Sequence, residues 1–250
     1  MAIHQLVAGV HNFQGNVFRT QHELFQRLSK EQSPETLFIT CSNSRIDPNL
    51  ITQTDPDDLF VLRNAGNIVR AYFGTAGGET ATIEFAITGL GVKQIVVCGH
   101  SHCGAIKGLL NPDQLEDMPA VRDWLKHAEA TRRIVKSKYK NRPKEELVEV
   151  AAEENVLTQL ENLQTHPAVA VALSQGELSL HAWMYEIETG EVDGYHTTVG
   201  QFIPLGQLRS PANAAPARVH DVRSGDGLFR GSGSGDSKSG WTSQRRSGFA

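Results

Sequence analysis

Short apolar runs that end in polar loops constrain the fold of this chain more than any other feature. Residues 36–40 (TLFIT) run into Cys41, residues 59–62 (LFVL) run into an Arg-Asn pair, and residues 95–98 (IVVC) run into a Gly-His-Ser-His-Cys-Gly loop. Such short apolar runs, rich in β-branched and aromatic residues, are typical of buried strands. A helical pattern at residues 80–90 precedes the third run. The alternation predicts an α/β fold with a mostly parallel β-sheet flanked by helices.

The polar loops lie at the carboxyl ends of these predicted strands, where ligands bind in open parallel sheets. Cys41 ends one strand, and His100 and Cys103 stand three residues apart in the loop after another. Thiolate and imidazole groups are preferred zinc donors, and three protein ligands leave a fourth position open. The sequence therefore indicates a metal site formed by Cys41, His100 and Cys103.

Packed cysteine and histidine residues are the alternative explanation, since a single His-x-x-Cys is a weak signal. His102 is the rival histidine, but its position beside Cys103 makes it awkward for its ring to share the same metal. Cys98 lies inside an apolar strand and is interpreted as a buried thiol. The chain has three cysteines, an odd number, and residues 1–10 lack the basic-then-apolar pattern of a secretory signal, so we do not expect a disulfide framework.

Helical patterns account for much of the remaining chain. Residues 3–30 carry an apolar stripe, which the Gly15-Asn16 pair is expected to break into two helices. Asp47 is predicted to be a helix N-cap, because a proline follows it. Two amphipathic helices and two strands are predicted over residues 121–138, 145–163, 178–187 and 192–196.

Composition narrows the classes of partner and compartment. The net charge is −4 and the charges are dispersed, so nucleic acid is not an expected partner. No apolar run is long enough to span a bilayer, and we expect a cytoplasmic protein that does not bind membranes. Hydrophobic residues make up 39% of the chain, enough for the core of one domain over residues 1–205. Residues 206–250 are rich in Pro, Ala, Gly and Ser and are expected to be a disordered tail.

A nucleotide-binding α/β domain is excluded by the motifs. The first predicted strand is not followed by a Gly-x-Gly-x-x-Gly loop, and the chain contains no Gly-Lys-Ser/Thr sequence.

Three segments together resemble the signature sequences of β-class carbonic anhydrases. They are residues 41–48 (CSNSRIDP), 63–67 (RNAGN) and 99–104 (GHSHCG), in that order. The resemblance covers roughly residues 3–200. Residues 124–133 and 154–159 are most similar to the carboxysomal enzymes of cyanobacteria. Those enzymes carry a C-terminal extension that docks to the carboxysome scaffold, which implies the same compartment and partner for this chain.

The resemblance implies a zinc enzyme that reversibly hydrates CO2 to bicarbonate. In carbonic anhydrases, zinc lowers the pKa of bound water to about 7. The positions of Cys41, His100 and Cys103 match the zinc ligands, and Arg45 matches the arginine of the catalytic dyad. The family forms homodimers that assemble further, so a homodimer or a larger homo-oligomer is expected.

The resemblance also assigns residues to substrate binding. Gln32, nine residues before Cys41, matches an amide that hydrogen-bonds the substrate. Further matches, including apolar residues that line the CO2 pocket, are Phe60, Ala65, Phe85 and Gly104. Some of these contacts are supplied across a dimer interface in the family. Without the resemblance, the two phenylalanines would be interpreted as ordinary core residues.

Two positions depart from the family pattern. Position 43 is aspartate in the family, where it pairs with the dyad arginine and accepts a hydrogen bond from the zinc-bound oxygen. Asn43 is neutral and half of its amide is a donor, so zinc binding with weak CO2 hydration is expected. The alternative is a catalytically impaired homologue whose remaining role is assembly. Asp57 stands where glycine is usual, which concerns stability more than chemistry.

Overall fold

A six-stranded sheet forms the centre of the computed structural model, which describes residues 2–73, 77–143 and 146–207. The strands are β1 (Thr36–Cys41), β2 (Leu59–Asn64), β3 (Gln94–His100), β4 (Ser179–Tyr185), β5 (Val192–His196) and β6 (Gln201–Pro204). Their order is β2-β1-β3-β4-β5-β6. The first four strands are parallel, and β5 and β6 extend the sheet in antiparallel pairing. The predicted α/β fold with a mostly parallel sheet is confirmed.

Helices connect the strands and cover the sheet. They are α1 (Ile3–Asn12), α2 (Phe18–Thr20), α3 (His22–Leu28), α4 (Pro48–Thr52), α5 (Gly78–Glu84), α6 (Gly104–Leu110), α7 (Pro119–Leu125), α8 (Glu129–Lys138), α9 (Leu147–Gln164) and α10 (Pro167–Gln175). Asp47 caps α4 as predicted, because its carboxylate accepts the N–H of Leu50 at 3.3 Å. No helix in the described part of the chain is both long and apolar enough to cross a membrane.

Alternate residues of the central strands face opposite sides of the sheet. Leu37 and Ile39 of β1 belong to the core cluster that includes residues of α9 and α10. Phe38 of β1 packs on the other side, where its ring lies 6.0 Å from that of Trp183. Both faces of the strand are therefore buried, which accounts for the continuous apolar run in the sequence.

The strand order brings the predicted metal ligands together. β1 lies between β2 and β3, with Thr40 opposite Cys98 and Cys41 opposite Asn64. The carboxyl ends of β1 and β3 are therefore neighbours. Gly99 allows α9 to pack closely there, since an added Cβ atom would lie only 2.7 Å from the Val156 side chain.

The chain departs from the predicted elements after residue 118. The single helix predicted over residues 121–138 is wrong: α7 and α8 are separated by a 3₁₀ turn at Lys126–Ala128. Helix α10 and strand β6 were not predicted. The disordered tail was predicted from residue 206, but a 3₁₀ turn covers Leu205–Gln207. The rest of the predicted tail, from position 208 onward, lies outside the described residues.

The N-terminal arm, Ile3–Leu28, is helical but differs in detail from the prediction. A π-helical turn at Phe13–Val17 carries the helix through the Gly15-Asn16 pair, and the break falls instead at Gln21, whose φ is −108° and ψ is 21°. None of the helical segments of this arm contributes a buried residue. Its apolar stripe is thus exposed in the single chain.

Candidate metal centre

Two thiols and one imidazole form a buried cluster at the carboxyl ends of β1 and β3. The Sγ atoms of Cys41 and Cys103 are 3.9 Å apart, and the ligand atoms of both cysteines and His100 all lie within 4.8 Å of one another. All three residues are buried. Two sulfur atoms bound tetrahedrally to one zinc ion at 2.3 Å each would be about 3.8 Å apart, so the spacing fits such an ion.

The imidazole of His100 contributes one ring nitrogen to this cluster. Nδ1 lies 2.8 Å from the backbone oxygen of Ser101, and an oxygen can only accept, so Nδ1 carries the proton. Nε2 is then a free acceptor, and it is buried without a hydrogen-bond partner among the described residues. An unpaired buried acceptor is costly unless something else binds it. This nitrogen is the strongest sign that the cluster holds a cation.

The two thiols are not equivalent. The side chain of Cys103, followed by the N–H groups of Gly66 and Asn43, lowers the pKa of Cys41 far below that of a free thiol, against the opposing effect of burial. The contact between the thiols raises the pKa of Cys103, which keeps the shared proton, and burial raises it further. Gly66, held at a φ of 84°, contributes its N–H at 3.4 Å from Cys41 Sγ. The cluster therefore favours one thiolate by itself and a second when a cation arrives.

The other two candidate ligands lie elsewhere. Cys98 is fully buried in β3, and burial raises its pKa to about 12, so it stays a protonated thiol. The ring of His102 lies away from the cluster, with Nδ1 3.4 Å from Glu149 and Nε2 3.3 Å from Glu188. The interpretation of Cys98 as a packed thiol agrees with this geometry.

Asn43 and Arg45 lie in the loop that follows Cys41. Oδ1 of Asn43 accepts from both the backbone N–H and the Nε–H of Arg45, at 2.9 and 3.1 Å. Nη2 of Arg45 donates to the backbone oxygen of His102 at 3.3 Å. Asn43 thus contributes a single neutral oxygen to the arginine, where a carboxylate would add charge and a second acceptor.

Sequence reasoning missed Arg63 as a support of this loop. It lies on β2 and donates to the backbone oxygens of Cys41, Asn43 and Ile46 at 3.1, 2.7 and 2.9 Å. Its position at the end of a strand paired with β1 was the available signal.

A ladder of buried amides on α9, also missed, supports the loop that contains Gly66. Asn155 donates to the backbone oxygen of Gly66 at 2.9 Å, and Gln159 donates to Asn155 at 2.8 Å. Gln159 also accepts the N–H of Val69 at 2.9 Å. Polar side chains four residues apart on an otherwise buried helix face were the signal for this role.

The five predicted substrate residues fall into two groups. Ala65 and Gly104 lie beside the cluster: one precedes Gly66 and the other follows Cys103 at the start of α6. Gln32 is exposed ahead of β1, and the rings of Phe60 and Phe85 lie 6.1 Å apart. Phe60 pairs with Leu37, four residues before Cys41, so Phe60 lies roughly 13 Å from the cluster along the strand.

Comparison with known proteins shows which family the chain resembles in sequence. The carbonic anhydrase family profile matches residues 36–192, more than half of the chain. A carbonic anhydrase of Synechocystis sp. is 52% identical over 80% of this chain and 73% of its own length. A carbonic anhydrase of Synechococcus elongatus is 52% identical over 75% of this chain and 70% of its own length. A carbonic anhydrase of Pseudomonas aeruginosa is 43% identical over 81% of this chain and 91% of its own length.

Solved structures agree with the sequence comparison. The β-carbonic anhydrase CcaA superposes with a TM-score of 0.79 at 51% identity, over 81% of this chain and 98% of that one. A tetrameric β-carbonic anhydrase of Sordaria macrospora gives a TM-score of 0.69 at 30% identity, over 77% of this chain and 95% of that chain. The chain belongs to the β-class carbonic anhydrases.

Proposed function

We propose that this carbonic anhydrase binds zinc through Cys41, His100 and Cys103 and uses it to hydrate CO2 reversibly to bicarbonate. The observation that carries the proposal is the buried Nε2 atom of His100, which has no partner in the described chain and shares a cluster with two thiols. Sulfur and imidazole donors select zinc over magnesium or calcium, which prefer oxygen.

The residues around the cluster have different proposed roles in the reaction. Zinc, when bound, supplies a Lewis acid that makes hydroxide available near neutral pH, as in other zinc-dependent carbonic anhydrases. Arg45 brings a positive charge to the loop beside Cys41, where it favours an anionic product. Asn43 orients this arginine through Oδ1. Burial of the cluster keeps bulk water from competing with these contacts.

Asn43 is expected to make the enzyme slow without preventing zinc binding. It is not among the three clustered ligands, and it cannot provide the carboxylate that would pair with Arg45 through charge. Loss of an outer partner of a metal site typically costs about 10–100-fold in activity or affinity. We infer that Asn43→Asp raises CO2 hydration by a factor in this range and leaves the zinc content near one ion per chain.

Stopped-flow CO2 hydration on protein of verified zinc content tests this inference. Asn141→Asp is a matched control, because it makes the same change at an exposed position that follows helix α8. Recovery in Asn43→Asp alone supports an intact enzyme limited by one residue. Equal and fast turnover in the native chain and in Asn43→Asp contradicts the role given to Asn43. A chain that binds no zinc contradicts the whole proposal.

A second copy of the chain is proposed to complete the substrate site. Gln32 and Phe85 are exposed and lie with Phe60 at the amino ends of the strands, away from the cluster of their own chain. The arm Ile3–Leu28 carries an exposed apolar stripe that a partner would cover. The solved relative from Sordaria macrospora is tetrameric, which supports the expectation of a homo-oligomer.

The physiological setting is proposed to be the carboxysome of the cytoplasm. The 52% identity to two cyanobacterial carbonic anhydrases supports it, and so does the length of chain beyond Gln207, which provides a segment for scaffold docking. The alternative is a catalytically weak homologue with an assembly role, which Asn43 favours. These two proposals separate in the Asn43→Asp experiment, since an assembly protein would stay inactive with zinc bound.

A further inference from the structure

The loop between two of the clustered ligands contains a strained residue. His102 has a φ of 53°, in the left-handed region that residues other than glycine rarely adopt. It stands between His100 and Cys103, so its backbone conformation determines how closely those two side chains approach. A strained conformation persists only where surrounding contacts enforce it.

Contacts on both sides hold the backbone of His102. Oε1 of Glu149 accepts its N–H at 3.0 Å and lies 3.4 Å from Nδ1 of its ring. On the other side, Nη2 of Arg45 donates to its carbonyl oxygen at 3.3 Å. The backbone N–H and C=O groups of this strained residue are thus both fixed by charged side chains, which make stronger hydrogen bonds than neutral groups.

Glu149 applies this constraint from a rigid element. It lies in the first turn of α9, and the same helix packs its Val156 side chain against Gly99 at the end of β3. The distance from α9 to the strand that carries His100 is therefore fixed by close packing. Glu188, which contacts the other ring nitrogen, has a side chain 74% exposed and lies beyond β4, so it is a weaker anchor.

We propose that Glu149 is a positioning residue of the metal centre. By holding His102 in the left-handed conformation, it presents His100 and Cys103 to a single ion. The inference rests on the proposed zinc site and extends it to a residue outside the ligand set. It requires no change in the protonation of any group.

Zinc affinity, measured by chelator competition on the full chain, tests the role directly. Glu149→Ala is expected to weaken zinc binding by about 10–100-fold, the usual effect of losing an outer partner. Glu146→Ala is the matched control: Glu146 precedes the same helix, carries the same charge and pairs with Arg142 at 3.0 Å. The control is expected to bind zinc as the native chain does.

A second pair of variants separates positioning from a general effect on folding. Glycine adopts positive φ at no steric cost, whereas alanine does not. With Glu149→Ala in place, His102→Gly is therefore expected to restore at least tenfold of the lost zinc affinity, and His102→Ala is expected to restore none. A loss of global stability alone would not distinguish glycine from alanine in this way.

Each outcome decides the inference. Equal zinc affinities of Glu149→Ala and Glu146→Ala overturn it, whether both are native or both are weakened. Equal behaviour of the two His102 variants overturns the conformational argument. A native chain that binds no zinc overturns the proposed site and this inference together, whereas native binding with no effect of Glu149 overturns the inference alone.

Discussion

The two ends of the parallel strands differ in whether a single chain buries the candidate functional residues that lie there. At the carboxyl ends, Cys41, His100 and Cys103 are buried within hydrogen-bonding loops of their own chain. At the amino ends, Gln32 and Phe85 are exposed. The difference indicates that one protomer can form the proposed metal centre by itself, whereas the proposed substrate pocket needs the assembly. The predictions below test or refine that division.

Removing a ligand has the largest expected effect. In Cys41→Ser, we expect the zinc content to fall to background and CO2 turnover to fall by more than about 1000-fold, because water without a metal keeps a pKa far above neutral. The matched control is Cys98→Ser in β3, which changes a fully buried cysteine whose thiol stays protonated. It is expected to keep one zinc ion per chain. Metal analysis and stopped-flow kinetics check both variants, and loss of zinc from Cys98→Ser would contradict the ligand assignment.

A substitution on the exposed arm is expected to have the next largest effect, and this effect is on dimer formation and not on zinc binding. Val10 is 53% exposed on the apolar stripe of α1. Burying such a side chain contributes about 1.5–3 kcal/mol, and a carboxylate in its place adds a desolvation cost. Val10→Asp is therefore expected to raise the dimer dissociation constant at least about 100-fold, measured by sedimentation equilibrium, while zinc content stays native.

Ala8→Asp provides the control for the arm. Two residues turn an α-helix by about 200°, so Ala8 lies on nearly the opposite side from Val10. It adds the same charge to an exposed position of the same helix. Equal dissociation constants for the two variants would contradict the arm as the interface, and loss of zinc from Val10→Asp would contradict the division between the two ends of the strands.

The sequence predicted the clustered residues at the carboxyl ends of the strands better than the side chains of α9 that support their loops. Cys41 and His100 end buried apolar strands, so strand order alone brings them together. Glu149 and Gln159 could not be assigned from the sequence, because their partners are backbone groups 47 and 90 residues away along the chain. The stop between α7 and α8 was missed for a similar reason, since neither proline nor glycine marks the turn at Lys126–Ala128. Tertiary packing decides such features, and local pattern does not.

The amide ladder behind the proposed metal centre is expected to contribute to stability more than to chemistry. Gln159→Met keeps the size of the side chain but leaves the buried N–H of Val69 without the acceptor it has at 2.9 Å. An unsatisfied buried group costs about 1–3 kcal/mol, and the free energy of unfolding is expected to fall by this amount. Urea denaturation of zinc-loaded protein measures it, with the exposed Gln175→Met as the control. A native free energy in Gln159→Met would show that the ladder does not stabilise the loop.

The smallest expected effect concerns Asp57, the residue that stands where the family has glycine. Its φ is 90°, which is unfavourable for any residue with a side chain, but its carboxylate accepts the N–H of Ser33 at 3.1 and 3.2 Å. Asp57→Gly relieves the strain and loses the bond, so the free energy of unfolding is expected to change by less than about 1 kcal/mol. Asp57→Ala loses the bond and keeps the strain, and is expected to be about 1–2 kcal/mol less stable.

Ser33 follows Gln32 directly, so the bond to Asp57 also fixes the segment that would reach the partner's site. Both Asp57 variants are therefore expected to keep native zinc content, and to raise the KM for CO2 about equally, whatever their difference in stability. A rise in KM that follows stability instead, larger in alanine than in glycine, would show that Asp57 acts through the fold. Unchanged KM values in both variants would show that Gln32 does not depend on this bond, and would leave the amino ends of the strands positioned by the interface alone.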